Sequence, residues 1–272
     1  MKIPFTKAHG AKNDFLFTWR QDAPDPGASD HAALARAICE RHTGIGADGW
    51  MLVDPPCDGE AEGTIQLYNS DGSIAEMSGN GTRCAAAFLI RHGHAAGVVR
   101  VRTGAGVKTL RLLKRRALAY EFEMNMGSPD IIAASFQLEV SGGPRDVTLL
   151  WVGNPQCAVP VGDFDFDWRA LGAEIERHPH FANRTNVSFV KAVDEHTIDV
   201  RFWERGAGET MSSGTGSTGA AAMAAARGWG RSPVRVLTPA GPIDLRVDGD
   251  IYLTGPAEIV AEGVFFRGGE QV

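Results

Sequence analysis

The sequence predicts an α+β fold of two pseudo-symmetric domains, each a curled, mostly antiparallel β-sheet around a central helix. Two observations carry that expectation. The segments 78–93, "SGNGTRCAAAFLIRHG", and 213–228, "SGTGSTGAAAMAAARG", both open on Ser-Gly-x-Gly, reach three alanines at the same offset and close on a glycine. Their serines lie 213 − 78 = 135 residues apart, nearly half of the 272-residue chain, which is the mark of a duplicated domain. The second observation is that short apolar segments far outnumber long helical ones, which implies sheet-rich layers with few helices. A chain of this length also suits two domains at ~150 residues each.

Each element follows from local pattern. Extending the 135-residue offset backwards sets Tyr68 on Trp203, Asn69 on Glu204, Gly72 on Ala207 and Met77 on Ser212. The preceding stretches "TIQLYN" and "TIDVRFWE" alternate with period two, so each half reads strand, loop, Ser-Gly-x-Gly, helix. The two helices are rich in Ala, Leu, Phe and Met with few charges, which predicts burial, and Gly93 and Gly228 suit their C-terminal ends. "DHAALARAICERH" (30–42) and "DWRALGAEIERH" (167–178) predict surface helices with an Asp N-cap. Further strands are expected at 14–19, 50–54, 98–103, 107–113, 118–125, 147–152, 157–161, 187–193, 234–238, 243–247, 251–254 and 258–262. The expected domains are 1–117, with 263–272 returning to it, and 118–262.

With 43% apolar and 22% charged residues the composition is that of a globular protein. A net charge of -6 argues against an electrostatic grip on nucleic acid or anionic membrane and favours small-molecule chemistry. Cys39, Cys57, Cys84 and Cys157 form no CxxC pair and no metal-ligand spacing with the histidines, so buried reduced thiols and no metal are expected. "MKIPFTKAHG" has no apolar signal region and no stretch has the length of a membrane span, which predicts a cytoplasmic protein.

The serine-headed loops suggest where chemistry lies. A helix N-terminus offers unsatisfied amides and the positive end of the macrodipole, and glycines let a ligand approach them. Ser78 and Ser213 make good N-caps, and simple capping accounts for either one alone. Two such caps related by duplication suggest equivalent elements facing one ligand across a domain cleft. A nucleotide site is the rival, since "GIGADG" (44–49) and "GTGSTG" (214–219) match G-x-G-x-x-G. The first follows a helix and enters a strand, the reverse of the dinucleotide order. The second has a counterpart, "GNGTRC", without the third glycine. The loops "HGAKNDF", "YNSDGS", "GNPQC", "RTNVSF" and "ERGAGET" each read singly as turns. Together they suit a lining of donors and acceptors for a zwitterion of amino-acid size.

These motifs resemble the diaminopimelate epimerase family over essentially the whole chain. His9 to Phe15 is like its His-Gly-x-x-Asn-Asp-Phe, and Gly44 to Asp48 like its Gly-x-Gly-x-Asp. Asn69 to Met77 is like its Asn-x-Asp-Gly-Ser with a following Glu-Met, and Glu204 to Thr210 like its Glu-Arg-Gly-x-Gly-Glu-Thr. The resemblance implies epimerisation of LL-2,6-diaminopimelate to the meso form, with no cofactor, no metal and a homodimer. It implies two opposed acid/base residues at the positions of Ser78 and Ser213. It also implies substrate contacts from Asn13, Asn69, Asn154, Asn186, Glu204 and Arg205, and carboxylate binding by the amides of Gly79, Asn80, Gly214 and Thr215.

The departure falls on the chemistry. The family has cysteines where this chain has Ser78 and Ser213, and a histidine where it has Gln156. A helix N-terminus readily brings a thiol to thiolate, whereas a serine hydroxyl needs an adjacent base. Three accounts stand open: cysteine-to-serine changes introduced into an epimerase; a native Ser/Ser enzyme using Glu204, Glu209, His9 or a water as proton carrier, for epimerisation, isomerisation or dehydration; or a binder of amino acids without activity.

Overall fold

The computed structural model describes residues 1–25, 29–56 and 59–267. The chain divides into two compact units, 1–122 with 256 onward, and 123–255. The expected division stood at 117/118 and 262/263. Residues 258–261 fall in the first unit because they pair with residues 7–9 on the same strand that continues to Phe266.

In the first unit the chain runs β1 (Lys2–Gly10), β2 (Asn13–Trp19), α1 (His31–Cys39), β3 (Gly49–Asp54), β4 (Gly63–Asn69), β5 (Ile74–Ala75), α2 (Gly79–Arg91), β6 (Val98–Thr103) and β7 (Gly106–Arg116). β8 (Ala119–Asn125) carries it into the second unit. There follow β9 (Asp130–Val140), β10 (Gly143–Trp151), β11 (Pro155–Pro160), α3 (Trp168–Glu176), β12 (Asn186–Asp194), β13 (Thr197–Glu204), β14 (Gly208–Thr210), α4 (Gly214–Ala226), β15 (Val234–Thr238) and β16 (Gly241–Asp248). β17 (Asp250–Phe266) brings it back.

The pairings repeat. β1–β2, β3–β4, β4–β5 and β6–β7 are antiparallel, and β2–β3 and β4–β6 parallel. The second unit has the same series in β10–β11, β12–β13, β13–β14 and β15–β16, with β11–β12 and β13–β15 parallel. The fold is therefore α+β and duplicated, mostly antiparallel, with one buried helix per unit.

The strands of each unit are covered on two faces. Leu16, Trp50 and Leu52 pack with Leu34 and Ile38 of α1, while α2 lies against β1, β2, β6 and β7. In the second unit Val159, Val187 and Phe189 pack with Trp168, Leu171 and Ile175 of α3, while α4 packs on β9 to β13, β15 and β16. Residues 79–90 of α2 and 214–224 of α4 are buried throughout, as expected for helices rich in Ala, Leu, Phe and Met with few charges. Their glycines face the strands. A Cβ on Gly216 would lie 2.8 Å from Phe202 Cδ1, and one on Gly81 2.1 Å from Met51 Cε. Close packing thus explains the second glycine of each G-x-G, and a dinucleotide site is not needed for it.

Four strands, β1, β5, β9 and β14, are additions to the sequence expectation. β1 and β2 join through Ala11 and Lys12, both at positive φ (50° and 65°), as a two-residue hairpin turn requires. That turn is usually signalled by Asn-Gly, and without it residues 9–15 read as a loop. β9 is mostly exposed, so its sequence has no apolar alternation to read. The segments expected at 251–254 and 258–262 are one strand, β17, and the loops after β4 and β13 each contain a short strand, β5 and β14. Cys57 and residues 268–272 of the expected C-terminal return lie outside the described residues.

The end of α4 is tied down by Arg227, which donates to Asp146 Oδ2 at 2.6 Å, Thr148 Oγ1 at 3.0 Å and the Ala134 carbonyl at 2.9 Å. The Arg227 hydrogen bond holds the Asp146 carboxyl below its ordinary value. A group depressed in the folded state stabilises above its unfolded value, near pH ~4, and the benefit is lost as pH falls through the lower folded value. Asp146→Asn is expected to lower the melting temperature at pH 7 and to flatten its decline between pH ~4 and ~2. Scanning calorimetry checks this; parallel curves for the two proteins would remove the assignment.

Candidate active site

The site residues fall into two half-sites, one in each unit. In the first, Ser78 is extended (φ -126°, ψ 123°) and its Oγ accepts from the Gly81 amide at 3.1 Å. A cap of this kind contributes about 1 kcal/mol to the helix. The hydroxyl has no ionisable hydrogen-bond partner among the described residues.

Behind Ser78 runs a chain of polar groups. Arg83 is fully buried and donates to Asn80 Oδ1 at 2.5 Å and to the carbonyls of Gly79 (3.3 Å) and Pro256 (3.2 Å). Burial lowers its pKa to about 10, so it remains a cation at neutral pH and adds positive potential at the start of α2. Asn80 Nδ2 donates to Asn13 Oδ1 at 3.2 Å, and Asn13 Nδ2 donates to Asp48 Oδ2 at 2.6 Å. Arg41 bridges Asp48 (2.8 Å) and Asp14 (2.9 Å), and Lys7 pairs with Asp14 at 3.0 Å. Burial and the charge of Asp14 raise the Asp48 carboxyl. Burial acts the same way on Asp14, but the hydrogen bonds from Arg41 and Lys7 outweigh it and leave that carboxyl below its ordinary value.

Two expected contacts are therefore joined to each other, Asn13 and Asn80. Asn69, at the end of β4, turns its amide to Ser73 Oγ at 3.0 Å.

The second half-site has a different chemistry at the same offset. Ser213 is almost fully buried, and its Oγ accepts from Gly216 N at 3.0 Å. It also donates to Glu204 Oε1 at 2.5 Å. Glu204 ends β13, and the turn into β14 returns the chain toward Ser213. A hydroxyl hydrogen-bonded to a carboxylate at a helix N-terminus is the arrangement of an activated acid/base group.

Its neighbours are fixed. Asn154 Nδ2 donates to Thr215 Oγ1 at 3.4 Å, and Gln156 Nε2 donates to Asn154 Oδ1 at 2.7 Å. Asn186 Nδ2 donates to the Pro155 carbonyl at 3.0 Å, and its Oδ1 accepts from the Arg205 amide at 3.0 Å. The Arg205 guanidinium donates to the Asn183 carbonyl at 3.1 Å.

Of the other candidate carriers, Glu209 is held by Arg169 through bonds of 2.6 and 2.8 Å. His9 Nε2 lies 3.6 Å from Glu258. Glu204 alone among the three has a hydrogen bond to a repeated serine.

Three further residues shape these half-sites: Arg83, Asp48 and Glu176. Glu176 is 2% exposed and accepts from Arg184, from Trp203 Nε1 at 3.3 Å and from Gly206 N at 3.2 Å. It pins the turn that follows Glu204. Its place in a helix expected at the surface hid that role.

Residues 5–132 and 148–260 match the family model of diaminopimelate epimerase. The chain belongs to the diaminopimelate epimerase family. It is 35% identical over 279 residues to the diaminopimelate epimerase of Pseudomonas fluorescens (strain Pf0-1), covering 97% of this chain and 99% of the relative. To the enzyme of the same name from Microcystis aeruginosa it is 36% identical over 286 residues, again at 97% and 99% coverage. The family places the chain among isomerases. The fold is shared at lower identity with a hydroxyproline epimerase from Agrobacterium vitis, at a TM-score of 0.74 and 16% identity over 97% of this chain and 92% of that one. A methylitaconate-delta-isomerase has a TM-score of 0.65 at 16% identity over 97% and 95%.

Cys39, Cys84 and Cys157 are free and buried, and burial pushes the thiols of Cys39 and Cys84 up to about 12. Among the described residues no group of His, Cys, Asp and Glu could hold a metal ion, and no helix is long and apolar enough to cross a membrane.

Proposed function

We propose that the chain is a cofactor-independent amino-acid epimerase that labilises the α-hydrogen of LL-2,6-diaminopimelate or a close relative, supplying a precursor for lysine and peptidoglycan in the cytoplasm. The observation that carries this reading is the hydrogen bond from Ser213 to Glu204 at the start of α4. It gives the serine the adjacent base that a hydroxyl needs.

Ser78 and Ser213 occupy the two acid/base positions. The first-turn amides of Gly79, Asn80, Gly214 and Thr215 take the reacting carboxylate, where helix ends stabilise the charge that spreads onto it as the proton leaves. The cation of Arg83, in the first turns of α2, strengthens that pull on an anion. Asn13, Asn69, Asn154, Asn186 and Arg205 recognise the distal amino-acid end, and a homodimer is the expected assembly.

Exchange of the α-hydrogen with deuterium in the presence of diaminopimelate, followed by NMR, tests the reading, with calorimetry reporting binding. Exchange by the native chain is the expected result. Binding and rapid exchange only after Ser78→Cys with Ser213→Cys would leave the substrate right and the native activity wrong. Neither binding nor exchange by either protein would remove the substrate assignment.

A further inference from the structure

Resting on that reading, we infer that the two half-sites are unequal: Glu204 with Ser213 both removes and returns the α-proton, while Ser78 serves as a hydrogen-bonding group and not as a base. The two serines are alike in backbone, cap and helix, so the comparison isolates their partners. Ser213 donates to a carboxylate at 2.5 Å. The residue at the equivalent offset before Ser78 is Asn69, since 204 − 135 = 69, and its amide is turned to Ser73.

Gln156, at the position where a histidine is expected, is a neutral amide that spends its Nε2 on Asn154. An amide neither gains nor loses a proton near neutral pH.

The step balances within the second half-site. The Cα–H bond breaks and its electron pair enters the enediolate. Its proton passes to Ser213 Oγ as the serine's own proton passes to Glu204, which becomes the neutral acid. Reversal delivers a proton to the same face, after exchange of the Glu204 proton with water. Among the described residues Ser78 has no such relay, and this limits inversion.

The test incubates the chain in D2O with LL-, DD- and meso-2,6-diaminopimelate separately. It follows α-hydrogen washout by NMR, inversion by chiral chromatography and binding by calorimetry. One α-configuration is expected to wash out roughly 10²–10⁴ times faster than the other, the range of a positioned acid/base group, and faster than it inverts. The meso compound, which carries both configurations, should show the preference within one molecule. Ser78→Cys should raise inversion and narrow the gap, because a thiol near a helix N-terminus ionises readily.

Equal washout from both configurations, or inversion keeping pace with washout, overturns the inference and leaves the epimerase reading standing. Binding without washout from either configuration overturns the role given to Glu204 and Ser213. Absence of binding removes the substrate reading and the inference with it.

Discussion

Glu204→Gln is expected to slow α-hydrogen washout by roughly 10²–10⁴, the loss that follows removal of a general base. The amide oxygen of the glutamine can still accept from the Ser213 hydroxyl, so the loop and the helix cap should survive. Stability and substrate binding are therefore expected to stay near those of the native chain. That separation makes the variant informative: a falling rate with unchanged calorimetric binding identifies a proton carrier, whereas loss of both identifies a structural group. Washout within tenfold of the native rate would transfer the role to another group. Glu209 is a poor substitute because two hydrogen bonds hold it to Arg169 on the surface. His9 has its closest ionic partner in Glu258.

Glu176→Ala is expected to have the largest effect on stability. The carboxylate is nearly inaccessible to water and gathers Arg184, the Trp203 indole and the Gly206 amide. Removing one partner of a fully buried pair costs about 3–5 kcal/mol, but the Arg184 side chain is 37% exposed and can be hydrated. A loss of about 2–3 kcal/mol follows, or roughly 4–12 °C in melting temperature for a protein of this size. The Gly206 amide would also lose its acceptor two residues after Glu204, so washout should fall even at temperatures where the protein is folded. Glu176→Gln keeps an acceptor for the amide and the indole and should recover part of both losses. Glu176 is thus a positioning residue for the base, and a fall in stability with an unaltered washout rate in the folded protein would refute that role.

Much of this architecture was legible from the residues. The duplication showed in the two Ser-Gly-x-Gly segments, and α1 to α4 showed in apolar spacing, Asp or Ser N-caps and terminal glycines. These are local signals, set by the periods of helix and strand and by the unsatisfied amides of a first turn. The candidate site was legible as a set of loops and as a departure at two positions, Ser78 and Ser213.

The partners of those residues were not. Asn69 and Glu204 occupy the same place in the repeat, and nothing along the chain tells that one turns to Ser73 while the other receives the Ser213 hydroxyl. Asn13 meets Asn80 across 67 residues of chain, and Glu176 meets Gly206 across 30. The sequence by itself determined the four helices, most of the strands and their repetition, because propensity and period act over a few residues. Only the tertiary structure decided which serine has a base, because strand register, turn geometry and buried hydrogen bonds join residues that the local pattern treats as unrelated.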